Sequence, residues 1–339
     1  MDLTPVPRQV WTQVQDASQV GEARRLAQAL CRLHAVDEVT AGSVAIVATE
    51  LATNVLRHGG GGHVLMQRLV TGQGQTIELL SLDRGPGMPD VGRCLQDGFS
   101  TGGTAGTGLG AVQRLADEFD VFSAPGQGTV VLARLRGPDA PAPAGAPRWA
   151  ATQLCAPGES LCGDTWHVRA DAGTVRLVVV DGLGHGPLAA DAARSALQAC
   201  DAEPDAGPEK LLDAIHAQAQ GTRGVAAAVC RIELESGRVR FAGVGNISAC
   251  ILAPGAGGRG LMSHNGILGV QARRVQGFDY ELPEGALLVM HSDGVQTRWN
   301  LDDYPGLRQR HPATIAALLT RDFVRGRDDA TVIALRRAA

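Results

Sequence analysis

A proline- and alanine-rich run, GPDAPAPAGAP at residues 137–147, divides the chain into two halves with different hydrophobic patterns. The run carries one charged residue and shows no hydrophobic period, which is the composition of an extended, semi-rigid spacer. A chain of 339 residues is long enough for about two domains, each with its own core. We therefore predict a first domain at residues 1–136, a linker at 137–148 and a second domain at 149–339.

The composition excludes several classes of protein. Hydrophobic residues make up 44% of the chain and charged residues 19%, which is ordinary for a folded soluble protein. The net charge of −4 offers no positive field to a nucleic-acid backbone, so we expect no nucleic-acid partner. The seven cysteines form no Cys-x-x-Cys pair, and the N-terminus lacks the basic start and apolar core of a signal peptide. We expect buried free thiols, a cytoplasmic protein and no membrane association.

The hydrophobic pattern changes at the linker. In the first half, two helical segments at about 18–34 and 37–57 precede two strand-like segments, a glycine-rich stretch, a short helix and a last pair of strands. This order predicts helices packed on one mixed sheet. The second half is mostly strand-sized apolar runs, interrupted by helical segments near Pro187, Pro208 and Pro312, which favours antiparallel sheets with flanking helices. The expected fold class is α+β, an α/β sandwich followed by a β-sandwich flanked by helices.

Glu50 and Asn54 are four residues apart in the second helical segment, so they share one face of that helix. An amide oxygen beside a carboxylate can hold Mg²⁺ and orient or deprotonate an attacking hydroxyl or water. Taken alone, the pair is weak evidence, because such a pair is more often an ordinary helix carboxylate and a solvated asparagine.

A turn and a glycine-rich stretch follow. Asp83 opens the turn Asp-Arg-Gly-Pro-Gly, in which Gly85 and Gly87 let the backbone approach a ligand, although an ordinary turn has the same pattern. Further glycines crowd before a predicted helix, whose unpaired N–H groups and dipole attract phosphate oxygens; they are Gly102, Gly103, Gly106, Gly108 and Gly110. The missing Lys-Ser/Thr excludes a Walker site, and the position in the chain argues against a dinucleotide fold.

In this order and spacing, the three motifs resemble the GHKL ATPase family. The segment at 97–129 is similar to the anti-sigma-factor serine kinases of that family, most closely the RsbT-type switch kinases, and the resemblance covers about residues 10–136. It implies a GHKL-type sandwich that binds ATP with Mg²⁺, with Glu50 as the base, Asn54 as the Mg²⁺ ligand and Asp83 as the adenine partner. The remaining nucleotide contacts that it implies are Gly85, Gly87, Gly106, Gly108, Gly110 and Thr129. Whether the domain phosphorylates a protein stays open.

Four aspartate segments of the second half lie at predicted strand ends or turns: Gly163-Asp164, Asp181-Gly182, Ser292-Asp293-Gly294 and Asp328-Asp329. Two of them follow the apolar runs VRLVVV and ALLVMHS, so buried strands would deliver these carboxylates to a sheet edge. Each Asp-Gly alone is also a common turn. Oxygen ligands from separate loops suit Mg²⁺ or Mn²⁺ rather than zinc, which favours clustered cysteine and histidine. The set predicts a two-metal site.

The second half resembles the metal-dependent protein phosphatases, specifically their SpoIIE-like bacterial branch with the RsbX and RsbU types. The resemblance spans about 150–337 and includes VVVDGLGHGPLAADAA, LLVMHSDGV and GRDDATVIAL. It implies that Asp181 is the catalytic centre's bridging ligand between two Mn²⁺ or Mg²⁺ ions. By the same resemblance Asp164 and the Gly182 carbonyl complete one metal site, and Asp293 and Asp328 hold the other. A shared water aimed at phosphorus then needs no covalent enzyme intermediate.

Two positions depart from the family pattern. Larger relatives have a histidine directly after the Asp-Gly, where this chain has Leu183; His185 is either its replacement or an ordinary residue at a helix start. Near the start of the domain, Arg148 is the nearest arginine for a substrate phosphate, and the metals are expected to hold that phosphate mainly by themselves.

Together the two resemblances imply a metal-dependent Ser/Thr phosphoprotein phosphatase of a bacterial partner-switching pathway, stressosome or anti-sigma. The first domain would regulate it or act as an opposing serine kinase. The implied substrate is a phosphorylated STAS-domain protein of the RsbS, RsbR or anti-sigma-antagonist type, and a homodimer is compatible with the sequence. Two alternatives stay open. One is an ATP-dependent protein that sequesters a STAS antagonist or sigma factor, with an accessory phosphatase, and the other is an inactive scaffold.

Overall fold

The computed structural model describes residues 9–71, 74–95, 108–138, 148–171, 173–271 and 275–338. The chain divides into two compact units. The first comprises Met1–Ala144 with Asn300–Leu318, and the second comprises Gly145–Trp299 with Leu319–Ala339. The segment Asn300–Leu318 thus groups with the first unit, although the sequence analysis placed it in the second domain.

The first unit is built on a five-stranded sheet in the order β1-β2-β3-β5-β4. Its strands are β1 (Gln9–Val14), β2 (Gly62–Thr71), β3 (Gly74–Asp83), β4 (Glu118–Ser123) and β5 (Thr129–Arg136). All four pairings are antiparallel, so the expectation of a mixed sheet is corrected. A single crossover helix would make β1 and β2 parallel, but two helices lie between them and reverse the chain once more.

The helices of this unit are α1 (Ala17–Leu33), α2 (Glu38–Gly59), the single turn α3 (Val91–Cys94) and α4 (Gly108–Leu115). Asp16 is the N-cap of α1, two residues before the predicted start of this helical segment: its carboxylate accepts hydrogen bonds from the backbone N–H groups of Ser18 and Gln19. The Gln19 side chain returns a hydrogen bond to the Asp16 N–H, which completes a capping box. This reciprocal pair fixes where α1 begins.

Helix α2 forms the centre of the first core. Its buried residues, among them Val44, Val47, Leu51 and Val55, recur at helical spacing and pack with buried residues of the sheet and α1. By length and hydropathy α2 would also pass as a membrane-spanning helix, but here its apolar face is covered by protein.

The second unit contains two five-stranded sheets, in the orders β13-β10-β9-β8-β7 and β12-β11-β14-β15-β6. Every pairing in them is antiparallel. The strands are β6 (Arg148–Leu154), β7 (Asp164–Asp171), β8 (Thr174–Gly182), β9 (Val225–Glu233), β10 (Arg238–Val244), β11 (Ser248–Leu252), β12 (Gly258–Leu261), β13 (Phe278–Glu281), β14 (Leu287–His291) and β15 (Ala330–Arg336). One apolar core joins both sheets, including Val179 and Phe241 from one and Leu288 and Ile333 from the other. This is the predicted β-sandwich.

Two helices, α5 (Pro187–Ala202) and α6 (Pro208–Gln218), cover the outer face of the first of these sheets. Alternate residues of β8 separate the two cores: Val179 faces the sandwich, whereas Val178 and Val180 pack with the helices. Burial on both faces makes β8 a continuous apolar strand, and Asp181 follows directly at its end.

The last helix, α7 (Pro312–Phe323), begins in the segment that groups with the first unit. The Asp120 carboxylate of β4 accepts hydrogen bonds from the backbone N–H of His311 and the hydroxyl of Thr314, both at 2.8 Å. Nearby, the ring of Tyr304 packs edge-on against Phe122, with 6.1 Å between centroids. Asp120 therefore satisfies donors at the start of α7 that the helix itself leaves unpaired.

Candidate nucleotide and metal sites

Helices α2 and α4 bring together two of the motifs predicted for a nucleotide site. Glu50 and Asn54 lie one turn apart on α2. A Cβ atom added to Gly108, at the start of α4, would lie 2.8 Å from Glu50 Oε2 and 3.6 Å from Asn54 Oδ1. A larger residue at position 108 would displace the Glu50 side chain or the start of α4. Gly110 is buried in α4, whereas Gly102, Gly103 and Gly106 lie outside the described residues.

The third motif lies against the other end of α2. Asp83 ends β3, and its Oδ1 accepts hydrogen bonds from the N–H groups of Gly85 at 2.9 Å and Thr129 at 3.2 Å. Thr129 is the direct partner of Asp83 in the β3–β5 register. A Cβ at Gly85 would lie 2.7 Å from the Cα of Gly59, and Gly87 has a φ of +72°. Asp83, Gly85 and Thr129 are thus held together beside the end of α2, and the adenine contact of Asp83 stays a prediction.

The two clusters lie at different heights along the same helix. Nine residues separate Glu50 from Gly59, so the clusters are about 14 Å apart along α2. The Asp83 carboxylate at one end can accept a hydrogen bond from a nucleotide base. At the other end, the Glu50–Asn54 pair and the start of α4 suit Mg²⁺ and a phosphate chain.

In the second unit, Asp164 and Asp181 are direct partners in the register of β7 and β8. Ser292 Oγ donates a 2.6 Å hydrogen bond to Asp164 Oδ2 and accepts one from the backbone N–H of Thr331 at 2.9 Å. Asp164 Oδ1 is buried and has no hydrogen-bond partner within the described residues, although the nearby Thr331 hydroxyl lowers the pKa of Asp164. One buried oxygen of Asp164 thus lacks a hydrogen-bond donor within the described residues.

The aspartates of this cluster repel one another. Burial raises the pKa of Asp181, and the charges of Asp164, Asp293 and Asp328 raise it further. Burial also raises the pKa of Asp164 and of Asp293, with Asp328 adding to the effect on Asp293. Asn246 Nδ2 donates a 2.6 Å hydrogen bond to Asp293 Oδ2, which favours the ionised form of that carboxyl. Positive charge at this point would relieve the repulsion.

The donor set fits hard divalent cations. It consists of carboxylates and the backbone of Gly182, and such oxygen ligands suit Mg²⁺ or Mn²⁺. A Cβ on Gly182 would collide with the carbonyl of Ala189, and one on Gly163 would lie 2.7 Å from the Ala189 side chain. Bare backbone is therefore required where the loops carrying Asp164 and Asp181 meet.

Asp329 has a different role from its neighbour. Its two oxygens accept hydrogen bonds from the N–H groups of Ala156 at 2.7 Å and Gly163 at 2.8 Å, so the side chain closes the loop between them. Asp328 is partly exposed, and its Oδ1 accepts a hydrogen bond from the Asp329 N–H at 2.9 Å. This geometry supports Asp328 rather than Asp329 as a metal ligand.

Several residues in and around the site were not predicted from the sequence. Ser292 lies beside a predicted metal ligand in the sequence, but nothing local indicates that Ser292 and Asn246 orient Asp164 and Asp293. The thiols of Cys155 and Cys162 lie within 4.8 Å of each other and of an Asp329 oxygen. Their spacing of seven residues resembles no metal or redox motif. All seven cysteines are free, as expected, but only Cys31, Cys200 and Cys230 are fully buried.

The two predicted departures from the family pattern concern His185 and Arg148. His185 Nδ1 lies 2.8 Å from Glu159 Oε1, and the histidine side chain is 56% exposed at the start of α5. Arg148 is an exposed residue at the beginning of β6. An unpredicted arginine, Arg223, places Nη1 3.1 Å from where a Cβ of Gly184 would lie. Its guanidinium is therefore beside the loop that follows Asp181.

The fold and the two clusters define a two-part protein, in which a sheet-and-helix unit with the candidate nucleotide site is joined to a β-sandwich with the carboxylate cluster. A family model described as "Histidine kinase-like ATPase domain" matches residues 14–135, and one described as "Stage II sporulation protein E (SpoIIE)" matches residues 171–338. The chain belongs to the histidine kinase-like ATPases in its first part and to the SpoIIE phosphatases in its second.

Individual relatives agree with this division. The serine/threonine-protein kinase RsbT of Bacillus subtilis is 32% identical over 111 residues, which cover 33% of this chain and 84% of the relative. The phosphoserine phosphatase RsbX of the same organism is 23% identical over 143 residues, 42% of this chain and 72% of the relative. A solved structure described as "The bacterial stressosome: a modular system that has been adapted to control secondary messenger signaling" is 31% identical with a TM-score of 0.52, covering 56% of this chain and 99% of that one. The chain therefore has the architecture of a partner-switching regulator.

Proposed function

We propose that the protein is a metal-dependent Ser/Thr phosphoprotein phosphatase whose ATP-binding domain either regulates it or acts as an opposing serine kinase. The observation that carries the proposal is the direct pairing of Asp164 with Asp181 at the ends of β7 and β8, with a buried Asp164 oxygen that has no donor in the described part of the chain. Buried carboxylates in such a position are stable only when they are protonated or bound to cations.

The protein's own residues would hold two cations and position the substrate. Asp181, Asp164 and the Gly182 carbonyl would hold one cation, and Asp181 with Asp293 and Asp328 would hold the other. Ser292 and Asn246 fix the carboxylates of Asp164 and Asp293 through their hydrogen bonds. When bound, the cations supply positive charge that stabilises the phosphoryl oxygens and activates water for in-line attack.

Arg223 is the protein's candidate for a direct contact with the substrate phosphate. Its guanidinium lies beside Gly184, in the loop that carries Asp181. Arginine pairs strongly with phosphoryl oxygens and stays charged at every physiological pH. His185 is engaged by Glu159 on the surface, and we assign it no catalytic role.

The first unit would bind ATP along α2. Asp83 accepts a hydrogen bond from the adenine amino group, supported by Gly85, Gly87 and Thr129. Asn54 holds Mg²⁺, and the N–H groups of Gly106, Gly108 and Gly110 contact the phosphates. Glu50 is placed to accept the proton of an attacking hydroxyl, which in a kinase reaction is the serine hydroxyl of the acceptor protein.

The proposed substrate is a phosphorylated STAS-domain protein of the RsbS, RsbR or anti-sigma-antagonist type, and the proposed setting is the bacterial cytoplasm. RsbT is a serine/threonine kinase and RsbX a phosphoserine phosphatase. A chain that resembles RsbT in one half and RsbX in the other can phosphorylate and dephosphorylate one shared partner. Tethering both domains also raises their effective concentration at that partner.

The decisive experiment incubates the full chain with Mn²⁺ and a Ser-phosphorylated STAS-domain protein from its own operon, with and without ATP. We expect phosphate release by the wild type and none by Asp181→Asn. Asp191→Asn is the matched control, because Asp191 is an exposed aspartate of α5 paired only with Arg194. Release that survives Asp181→Asn, or a folded wild type that releases nothing, would overturn the phosphatase proposal and favour ATP-dependent binding.

The role of the first unit is tested with the unphosphorylated STAS-domain protein and radiolabelled ATP. A kinase transfers label in the wild type and loses transfer in Glu50→Gln while still binding ATP. A regulatory domain transfers no label, yet ATP changes the rate of phosphate release in the first assay.

A further inference from the structure

A pocket of the second unit is lined by Gln296, Thr297, Arg298, Arg325 and Arg327. Three of these five side chains are guanidinium groups, in a chain whose overall charge is −4. All five residues are exposed, so the pocket opens to solvent. The concentration of positive charge is thus a local feature and not a property of the whole surface.

The three arginines lack a close ion-pair partner within the described residues, although Arg325 interacts electrostatically with Asp293. Some other arginines are paired, such as Arg134 with Glu78 at 2.7 Å and Arg321 with Asp322 at 2.6 Å. Among the residues that the structure describes, the side chains of Arg298, Arg325 and Arg327 make no ion pair or hydrogen bond. Their donors are therefore available to an external acceptor.

The pocket adjoins the proposed metal site along both of its walls. One wall, residues 296–298, follows Asp293 in the chain by a few residues. The other contains Arg325 and Arg327, and Arg327 directly precedes Asp328. The backbone N–H of Arg325 donates a 2.8 Å hydrogen bond to the carbonyl of Gly294, and this bond connects the two walls. A substrate side chain in the pocket would thus be separated by only a few peptide residues from a phosphoryl group at the metal site.

Charge balance makes the pocket attractive to anions. Two divalent cations would neutralise the four carboxylates assigned to them, and the arginine charges would then remain uncompensated. Arginine forms paired hydrogen bonds with carboxylates in a fixed planar geometry, and Gln296 and Thr297 add neutral hydrogen-bonding groups.

We propose that this pocket binds acidic residues that flank the phosphorylated serine or threonine of the substrate. The proposal rests on the phosphatase function, because it names the class of substrate that this site accepts. The occupant is a carboxylate-bearing peptide segment, and the reacting phosphoryl group itself stays at the metal site.

The test compares two phosphoserine peptides of equal length, one flanked by glutamates and one by lysines, with p-nitrophenyl phosphate as a substrate that has no flanks. With the wild type and Mn²⁺, we expect a higher kcat/KM for the acidic peptide. Arg298→Glu should lower that kcat/KM about tenfold, mainly through KM, and improve the lysine peptide. Hydrolysis of p-nitrophenyl phosphate should not change. Arg231→Glu, an exposed arginine of β9 outside the pocket, is the matched control.

A binding measurement separates this inference from the phosphatase proposal. The unphosphorylated acidic peptide, labelled with a fluorophore, should bind the full wild-type chain, weaken with added salt and weaken further with Arg298→Glu. Equal binding by wild type and Arg298→Glu, or equal kcat/KM for both peptides, would overturn the inference. A parallel loss of p-nitrophenyl phosphate hydrolysis in Arg298→Glu would also overturn it, because the arginine would then serve the phosphoryl group. If no substrate is hydrolysed by the wild type, the phosphatase proposal fails and the binding result still decides the pocket.

Discussion

Ser292 donates a 2.6 Å hydrogen bond to Asp164 across the β-sandwich, from the end of β14 in one sheet to the start of β7 in the other. The bond occupies Oδ2 and leaves Oδ1 without a donor in the described part of the chain. Thr331 fixes the serine in turn through its backbone N–H. One hydroxyl group therefore couples the packing of the two sheets to the orientation of a proposed metal ligand.

Ser292→Ala is expected to lower Mn²⁺ affinity or activity by about tenfold to 100-fold, because residues that orient metal ligands commonly contribute that much. The measurement is phosphatase activity as a function of Mn²⁺ concentration, with calorimetric titration of Mn²⁺ as a second readout. Ser195→Ala is the matched control, since the Ser195 hydroxyl bonds only to the Asp191 carbonyl on α5. An unchanged Mn²⁺ dependence in Ser292→Ala would show that Asp164 is oriented without the serine.

The metal-free protein should lose stability as the pH rises. The pKa values of Asp164, Asp181 and Asp293 are raised in the folded state, by burial first and by neighbouring carboxylates second. The folded state then binds more protons than the unfolded chain above about pH 4, so the free energy of unfolding falls as those protons leave. In a chelator, the melting temperature should decrease from about pH 5 to about pH 9, and Asp181→Asn should flatten the decrease.

Divalent cations should reverse this trend. They bind the ionised carboxylates of the folded state, so Mn²⁺ or Mg²⁺ should raise the melting temperature more at high pH than at low pH. A melting temperature that rises with pH in the chelator would contradict the proposed cluster.

Asp328 and Asp329 should separate function from stability. Asp329→Ala leaves the N–H groups of Ala156 and Gly163 without their acceptor, which should cost about 2–4 kcal/mol of unfolding free energy in urea. Asp328→Ala removes a partly exposed carboxylate and should cost little stability while weakening Mn²⁺ binding. The reverse pattern would exchange the roles of the two residues.

Local features of the fold followed from the sequence, and features that depend on distant partners did not. Helix α6 lies where a helical segment was predicted near Pro208, because its apolar residues recur at helical spacing and Pro208 marks its start. Edge strands such as β1 and β13 were not predicted, because their pairing partners rather than their own residues define them.

The same distinction holds in the site. Asp181 and Asp293 could be found because each follows an apolar run, whereas the hydrogen bond of Ser292 reaches a partner 128 residues away. The order of the carboxylates in the chain was visible, but the donors that orient them come from other loops. Hydrogen-bond partners at such distances leave no periodic pattern in the sequence.

Gly108→Ala should weaken ATP binding without unfolding the first unit. The added methyl group would lie 2.8 Å from Glu50 Oε2, so the start of α4 or the Glu50 side chain must move. Gly42→Ala is the control, because a Cβ there meets nothing within 4 Å and should add up to about 1 kcal/mol of helix stability. Calorimetric titration with ATP and Mg²⁺ measures the first effect and thermal unfolding the second. Equal ATP affinity in both variants would show that α4 does not contact the nucleotide.

Cys155 and Cys162 should form a disulfide under mild oxidation of the native protein. Their Sγ atoms lie within 4.8 Å, and both residues are partly exposed. Hydrogen peroxide would supply the oxidant: one thiolate attacks the peroxide to give a sulfenic acid, the second thiol displaces water from it, and peroxide is reduced to water overall.

Trypsin isolates the reactive pair, because both cysteines fall in one peptide, residues 149–169, which has no internal lysine or arginine. After oxidation, alkylation and digestion, mass spectrometry should find this peptide two hydrogens lighter and unalkylated. Cys94 and Cys250 are also partly exposed and should remain alkylated in the same sample. The disulfide must pull the chain inward at both ends of the loop that Asp329 closes, directly before Asp164. Oxidised protein should therefore bind Mn²⁺ more weakly and recover its affinity on reduction. The control variant Cys155→Ser should not respond to peroxide. A peptide from oxidised native protein that stays fully alkylated would refute the proximity of the two thiols.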